Sequence, residues 1–230
     1  MFDRASFLAG SFAVIGAGLA TRAGATPPAA GSASALVPPQ RLLDQLMAGN
    51  KRFVAGDFPA MTQLAEKREQ LVDTQAPFAA ILTCADSRVI PNLIFVQGIG
   101  SLFVARVAGN YPDDLVTGSI EYAIEHLGTR LVMVLGHQNC GAIKAVYSAI
   151  QTKVALPPHL AAIQHYIAPG IEHVVAARGT QEEAIAANVR AAVTTLKSAP
   201  PALSKGVTSG RVLVVGGVYQ LGSGEVKLLS

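Results

Sequence analysis

The chain has 230 residues, of which 50% are hydrophobic and 14% are charged. This composition excludes an intrinsically disordered chain and is sufficient for one substantial globular domain. Lysine and arginine total 18, against 15 aspartates and glutamates. Because this basic excess is small and scattered along the chain, we expect no nucleic acid partner.

The N-terminal residues 1–25 are typical of a secretory signal peptide. Arg4 precedes a run of apolar and small residues at 7–20, and an Ala-x-Ala pattern ends at Ala25. The run is too short for a comfortable transmembrane span, although an uncleaved membrane anchor stays open as an alternative. Cleavage near Ala25 predicts an exported, periplasmic protein without stable membrane insertion.

Residues 26–38 are rich in Ala, Pro, Gly and Ser, which predicts a flexible linker. A helical pattern begins at Pro39 and is expected to weaken at residues 49–50. A second short helix is predicted around residues 66–72. These two helices would form an N-terminal helical arm that either clasps another subunit or covers the sheet edge. Residues 39–230 would form a single domain.

Short apolar runs alternate with amphipathic helical patterns through the rest of the chain. Runs without a polar face are typical of strands that are buried on both sides in a parallel sheet. They begin at Phe78, Leu102, Leu131 and Val212. Strands that alternate with helices predict an α/β fold with a mainly parallel sheet, right-handed crossovers and flanking helices.

Reactive side chains follow two of these apolar runs. Cys84, Asp86 and Arg88 follow the first run, and His137 and Cys140 follow the run that begins at Leu131. Ligands bind beyond the carboxyl ends of the strands in open α/β sheets, so we expect these side chains to converge. Two thiolates and one imidazole favour zinc, and three protein ligands leave the open fourth position of a catalytic zinc site.

Two other interpretations of these residues stay open. Cys84 and Cys140 could form a disulfide, which is plausible in an exported protein, although a disulfide would not explain His137. Asp86 and Arg88 could be an ion pair that only clamps a loop, because structural ion pairs are common.

Two segments carry a family resemblance: Cys-Ala-Asp-Ser-Arg-Val at residues 84–89 and Gly-His-Gln-Asn-Cys-Gly-Ala at residues 136–142. They resemble the β-class carbonic anhydrases, and the likeness extends over most of residues 40–230. The resemblance implies a four-stranded parallel sheet core. It also implies a homodimer or larger homo-oligomer with active sites at the subunit interface.

The resemblance also implies roles for individual residues. Asp86 and Arg88 would be the catalytic pair, and Gln75 stands where some members have a glutamine that hydrogen-bonds substrate. Gly141 lies near a helix start, whose amide groups favour bicarbonate. The ligands of one Zn²⁺ per chain would be Cys84, His137 and Cys140.

The implied activity is that of a carbonate dehydratase, which interconverts carbon dioxide and bicarbonate through zinc-bound hydroxide. Asp86 would accept the proton of the hydroxide in a hydrogen bond, and Arg88 would keep Asp86 ionised and oriented. One alternative is a hydrolase of carbon disulfide or carbonyl sulfide on the same fold. Another is a non-catalytic zinc protein in which Asp86 closes the fourth position.

Overall fold

The computed structural model describes residues 37–59, 64–199 and 201–230. The predicted signal peptide therefore lies outside the described residues, as does most of the predicted linker. Within the described ranges, no helix is long and apolar enough to cross a membrane.

Helices and strands alternate over most of the described chain. The helices are α1 (Pro39–Val54), α2 (Leu64–Gln70), α3 (Pro91–Ile94), α4 (Asp114–His126), α5 (Gly141–Thr152), α6 (Pro158–Ala176), α7 (Gln181–Ser198) and α8 (Ala202–Thr208). The strands are β1 (Ala79–Thr83), β2 (Leu102–Arg106), β3 (Leu131–His137), β4 (Leu213–Tyr219) and β5 (Val226–Leu229). The predicted α/β fold is confirmed.

The strands form one sheet in the order β2-β1-β3-β4-β5. The first four run parallel, which confirms the expected four-stranded parallel core. β5 adds an antiparallel strand at the β4 edge. A tight turn makes this reversal, and Gly224 takes a φ of +77° within it, a conformation that glycine adopts without steric cost.

Helices cover both faces of the sheet because successive side chains of each strand point to opposite sides. On one face, Ile81 and Met133 pack with leucines of α1 and with the α3 segment. On the other face, Leu82 and Val134 pack with α4, α7 and α8. Beyond the carboxyl ends of the strands, α5, α6 and α7 form a third apolar cluster around Cys84 and Cys140.

The sequence predicted that helix α1 weakens at residues 49–50, but the helix continues without interruption to Val54. A Cβ atom at Gly49 would lie 1.8 Å from the carbonyl oxygen of Phe95, so glycine permits close approach to the α3 segment. The buried Asn50 side chain donates to the carbonyl of Gly224 at 2.8 Å and accepts from the amide of Val226 at 2.8 Å. These two residues therefore dock α1 on the sheet of the same chain.

Candidate metal centre

The carboxyl ends of β1 and β3 bring three candidate ligands together. Thr83 and Leu135 are partners in the parallel β1–β3 pairing, so Cys84 leaves the sheet beside the end of β3. The ligand atoms of the three residues, Cys84, His137 and Cys140, lie within 4.8 Å of one another. Both cysteines are free, and their sulfur atoms are 3.9 Å apart, far beyond the roughly 2 Å of a disulfide bond.

His137 is oriented as a metal ligand would be. Its Nδ1 lies 2.9 Å from the carbonyl oxygen of Gln138. A carbonyl can only accept, so Nδ1 carries a proton, and in the neutral ring Nε2 keeps a free lone pair. Nε2 is buried and has no hydrogen-bond partner in the described part of the chain. An unpaired buried nitrogen is destabilising, and a bound metal ion would satisfy it.

The two thiols of the cluster affect each other's ionisation. The Cys140 thiol donates a hydrogen bond that lowers the pKa of Cys84 to about 4, against the opposing effect of burial. The amide of Gly109 also donates to the Cys84 sulfur, at 3.3 Å. The same contact with Cys84, together with burial, raises the pKa of Cys140. The two sulfur atoms lie close enough to share a hydrogen bond, and a cation that binds both would displace the thiol protons.

Asp86 and Arg88 form a two-pronged ion pair beside this cluster. Arg88 donates from Nε to Oδ1 of Asp86 at 2.9 Å and from Nη2 to Oδ2 at 2.8 Å. These hydrogen bonds hold the pKa of the Asp86 carboxyl well below its usual range. Oδ2 of Asp86 is 3.9 Å from Nε2 of His137. An ionised carboxylate therefore borders the three ligand atoms.

The structure separates the two candidate substrate-binding residues. Gly141 is exposed, begins α5 directly after Cys140, and has no atom within 4 Å of where a Cβ would lie. Gln75 is exposed and precedes β1, whereas Cys84 follows it. A strand of this length spans roughly 16 Å. Within one chain, Gln75 therefore lies near the amino ends of the strands, and Cys84 lies at their carboxyl ends.

Several residues that support the cluster had no role predicted from the sequence. Arg106 donates to the carbonyl oxygens of Cys84 at 3.2 Å and Asp86 at 2.7 Å. The buried Asn188 side chain donates to the carbonyl of Gly109 at 2.9 Å. The sequence signal for Arg106 was its position at the end of a predicted strand. The role of Asn188 depends on a contact between residues 79 positions apart.

Comparisons with known proteins agree with this arrangement. A family model described as carbonic anhydrase matches residues 79–226. A carbonic anhydrase of Mycolicibacterium smegmatis is 38% identical over 183 residues, which covers 79% of this chain and 89% of the relative.

Solved structures show the same architecture. The β-carbonic anhydrase CcaA superposes with a TM-score of 0.65 at 28% identity, covering 83% of this chain and 94% of that one. One of two tetrameric β-carbonic anhydrases from Sordaria macrospora has the same fold, with a TM-score of 0.65 at 20% identity, covering 83% of this chain and 98% of that one. The chain belongs to the β class of the carbonic anhydrase family of enzymes.

Proposed function

We propose that the chain binds one Zn²⁺ through Cys84, His137 and Cys140 and interconverts carbon dioxide and bicarbonate. The observation that carries this proposal is the buried, unpaired Nε2 of His137 within 4.8 Å of two cysteine sulfurs. Two sulfurs and one imidazole nitrogen are donors that suit zinc. When bound, zinc would lower the pKa of a ligated water, as it does in the three-histidine carbonic anhydrases.

Asp86 would orient the attacking oxygen. Its low pKa keeps the carboxylate ionised at neutral pH, so it can only accept hydrogen bonds. Oδ2 would accept the hydrogen of the attacking oxygen and direct a lone pair towards carbon dioxide. Arg88 would fix the carboxylate plane through its two parallel hydrogen bonds. Both oxygens of Asp86 are engaged by Arg88, which argues against a carboxylate that permanently closes the metal site.

Gly141 would leave room for bicarbonate beside the metal. It is the first residue of α5, and the amide groups of a helix N-terminus favour anions. The amides of Ala142 and Ile143 face the Cys140 sulfur, where they oppose the rise in the pKa of that thiol. The start of α5 would therefore stabilise negative charge on a ligand as well as on the product.

Gln75 would contribute to catalysis through a second subunit. It lies before the amino end of β1, whereas Cys84 lies beyond the carboxyl end of the same strand. We propose a homodimer or larger homo-oligomer in which Gln75 reaches the site of its neighbour. The S. macrospora relatives are described as tetrameric, which supports an assembly of this kind.

We also propose export to the periplasm, on the basis of the basic residue, apolar run and Ala-x-Ala pattern in residues 1–25. Mass spectrometry of the protein isolated from its native host tests this proposal. We expect a mature N-terminus close to Ala25 in the periplasmic fraction. A chain that begins at Met1 in the cytosolic fraction would contradict it.

The activity is tested by zinc analysis and stopped-flow carbon dioxide hydration on the purified full chain. We expect one zinc per chain, loss of hydration after the metal is stripped, and recovery when zinc is returned. Carbon disulfide and carbonyl sulfide are assayed on the same sample. Hydrolysis of either without carbon dioxide hydration would favour the hydrolase alternative. Zinc-loaded protein that shows none of these activities would favour the alternative of a non-catalytic zinc protein.

A further inference from the structure

Arg106 extends the pairing between β1 and β2 beyond the end of β1. Thr83 and Arg106 are the last paired residues of the two strands, and the amide of Val107 donates to the carbonyl of Thr83 at 3.1 Å. The chain after Thr83 then leaves the sheet as the β1 loop, residues 84–88. The Arg106 side chain follows that loop, and its Nε and Nη2 donate to the carbonyls of Cys84 at 3.2 Å and Asp86 at 2.7 Å.

These hydrogen bonds suit the guanidinium group, whose planar donors can engage two acceptors at once. Within the ranges that the structure describes, Arg106 makes no ion pair with a carboxylate. Its hydrogen bonds to the β1 loop therefore do not compete with a carboxylate partner. The carbonyl of Asp86 also accepts from the amide of Val89 at 3.0 Å, so both of its lone pairs are engaged.

The β1 loop carries two groups with separate roles in the proposed function. Cys84 presents a ligand sulfur, and the Asp86 carboxylate borders the ligand cluster. Arg88 holds that carboxylate from within the same loop and would move with it. Arg106 lies on the neighbouring strand and ties the loop backbone to the sheet.

We propose that Arg106 is a positioning residue that keeps Cys84 and Asp86 in register with His137. The inference rests on the proposed function of this site. Substitution of groups that orient metal ligands typically changes metal affinity or activity by about 10-fold to 100-fold. Displacement of a reacting group by about 1 Å can have an effect of similar size.

The chain offers a matched control in Arg130. This side chain also bridges two backbone carbonyls, those of Arg211 at 3.0 Å and Val37 at 3.0 Å. It lies directly before β3, whereas His137 is the last residue of that strand. Arg130 therefore lies at the amino end of β3, whereas the metal centre lies at the carboxyl ends of the strands.

The experiment compares Arg106→Ala, Arg106→Lys and Arg130→Ala in the full chain. Three quantities are measured: the rate of zinc release to a chelator, the visible spectrum of the Co²⁺-substituted protein, and kcat/KM for carbon dioxide hydration. For Arg106→Ala we expect zinc release about tenfold faster, an altered cobalt spectrum and a kcat/KM lowered by about 10-fold to 100-fold. Arg106→Lys should fall between wild type and Arg106→Ala, because lysine lacks the planar fork. Arg130→Ala should match wild type in all three.

The proposal is overturned if Arg106→Ala matches wild type in zinc release and cobalt spectrum. It is also overturned if Arg130→Ala changes zinc release and the cobalt spectrum as much as Arg106→Ala does, because the effect would then be general destabilisation. If Arg106→Ala does not fold, Arg106→Lys decides by the same criteria. A wild-type protein that holds zinc but does not hydrate carbon dioxide would refute the proposed function. The zinc-release and cobalt measurements would still decide the role of Arg106.

Discussion

The two segments that form the candidate metal centre are held in place by different interactions. In the β3 turn, residues 137–140, His137 and Cys140 are 0% and 1% exposed, and Cys140 packs in the apolar cluster of α5, α6 and α7. The β1 loop reaches the surface, and the side chains of Asp86 and Arg88 are 17% and 54% exposed. Packing therefore fixes the buried ligands, which include Cys84 at the start of the β1 loop. Directional hydrogen bonds from two arginines hold the backbone of that loop and the Asp86 carboxylate.

Under the proposed function, this difference should separate metal retention from catalytic rate. Buried ligands have few alternative positions, because a closely packed interior allows little displacement. A partly buried carboxylate that is held by hydrogen bonds near the surface can move without unfolding the core. Substitutions of the ligands should therefore remove the metal, and substitutions of Asp86 or Arg88 should retain the metal and slow the reaction.

The largest effect is expected from replacing a buried ligand. His137→Ala and Cys140→Ala should each lose zinc and reduce hydration to the uncatalysed background, because two remaining donors hold the ion poorly. Zinc analysis after gel filtration measures the first result and stopped flow the second. Tyr147→Phe is the control, because it removes a hydroxyl that donates to Gly179 within the same apolar cluster but leaves every ligand in place. Full zinc occupancy in His137→Ala would refute the assigned ligand set.

A smaller effect is expected from Asp86→Asn. The amide should leave zinc bound, because Asp86 is not one of the three ligands. It can donate where the carboxylate only accepts, so hydration should slow by roughly 10² to 10⁴. The measurement is the hydration rate per bound zinc. Asp44→Asn changes an exposed carboxylate on α1 and should have the wild-type rate.

Asn188→Ala tests the buried support of the β1 loop. Asn188 donates to the carbonyl of Gly109, and the amide of Gly109 donates to the Cys84 sulfur. Loss of a buried hydrogen-bond partner should lower the free energy of unfolding by about 1–3 kcal/mol. Urea denaturation at saturating zinc measures this change, and zinc should remain bound. A change of less than about 0.5 kcal/mol, the size usual for neutral surface substitutions, would mean that this hydrogen bond contributes little.

The smallest effect is expected from Gly141→Ala. A Cβ at Gly141 would meet no atom within 4 Å, so the fold and the zinc content should not change. If bicarbonate binds beside the start of α5, the methyl group should raise KM and leave kcat unchanged. Gly118→Ala is the matched control, because a Cβ there also meets no atom within 4 Å and the residue lies on α4. Identical KM values in the two variants would remove Gly141 from the list of substrate-binding residues.

Much of the fold follows from simple patterns in the sequence. β1 and β3 are buried along their whole length, and such strands leave uninterrupted apolar runs in a sequence. Cys84 and His137 were expected to converge because neighbouring parallel strands end at the same edge of the sheet. The ligand cluster could therefore be predicted once both runs were identified as strands.

Other features leave no comparable signal. The seven-residue helix α8 contains Gly206, which lowers helix propensity, and it is stabilised by packing against the sheet. Arg106 binds backbone carbonyls 20 and 22 residues away, and carbonyl acceptors are present at every position of a chain. The proposed role of Gln75 would depend on a contact with a second subunit. Local patterns cannot predict contacts of these kinds.

The most direct test of the separation between metal retention and rate is the hydration rate of Arg88→Ala, measured on a sample of known zinc content. Loss of Arg88 removes the side-chain hydrogen bonds that orient the carboxylate of Asp86 and leaves all three ligands in place. Arg41→Ala, which changes an exposed arginine on α1, controls for the loss of one positive charge. We predict one zinc per chain and hydration slowed by roughly 10² to 10⁴ for Arg88→Ala. A near-wild-type rate would show that Asp86 and Arg88 only clamp the loop, and loss of zinc would show that the two segments do not act separately.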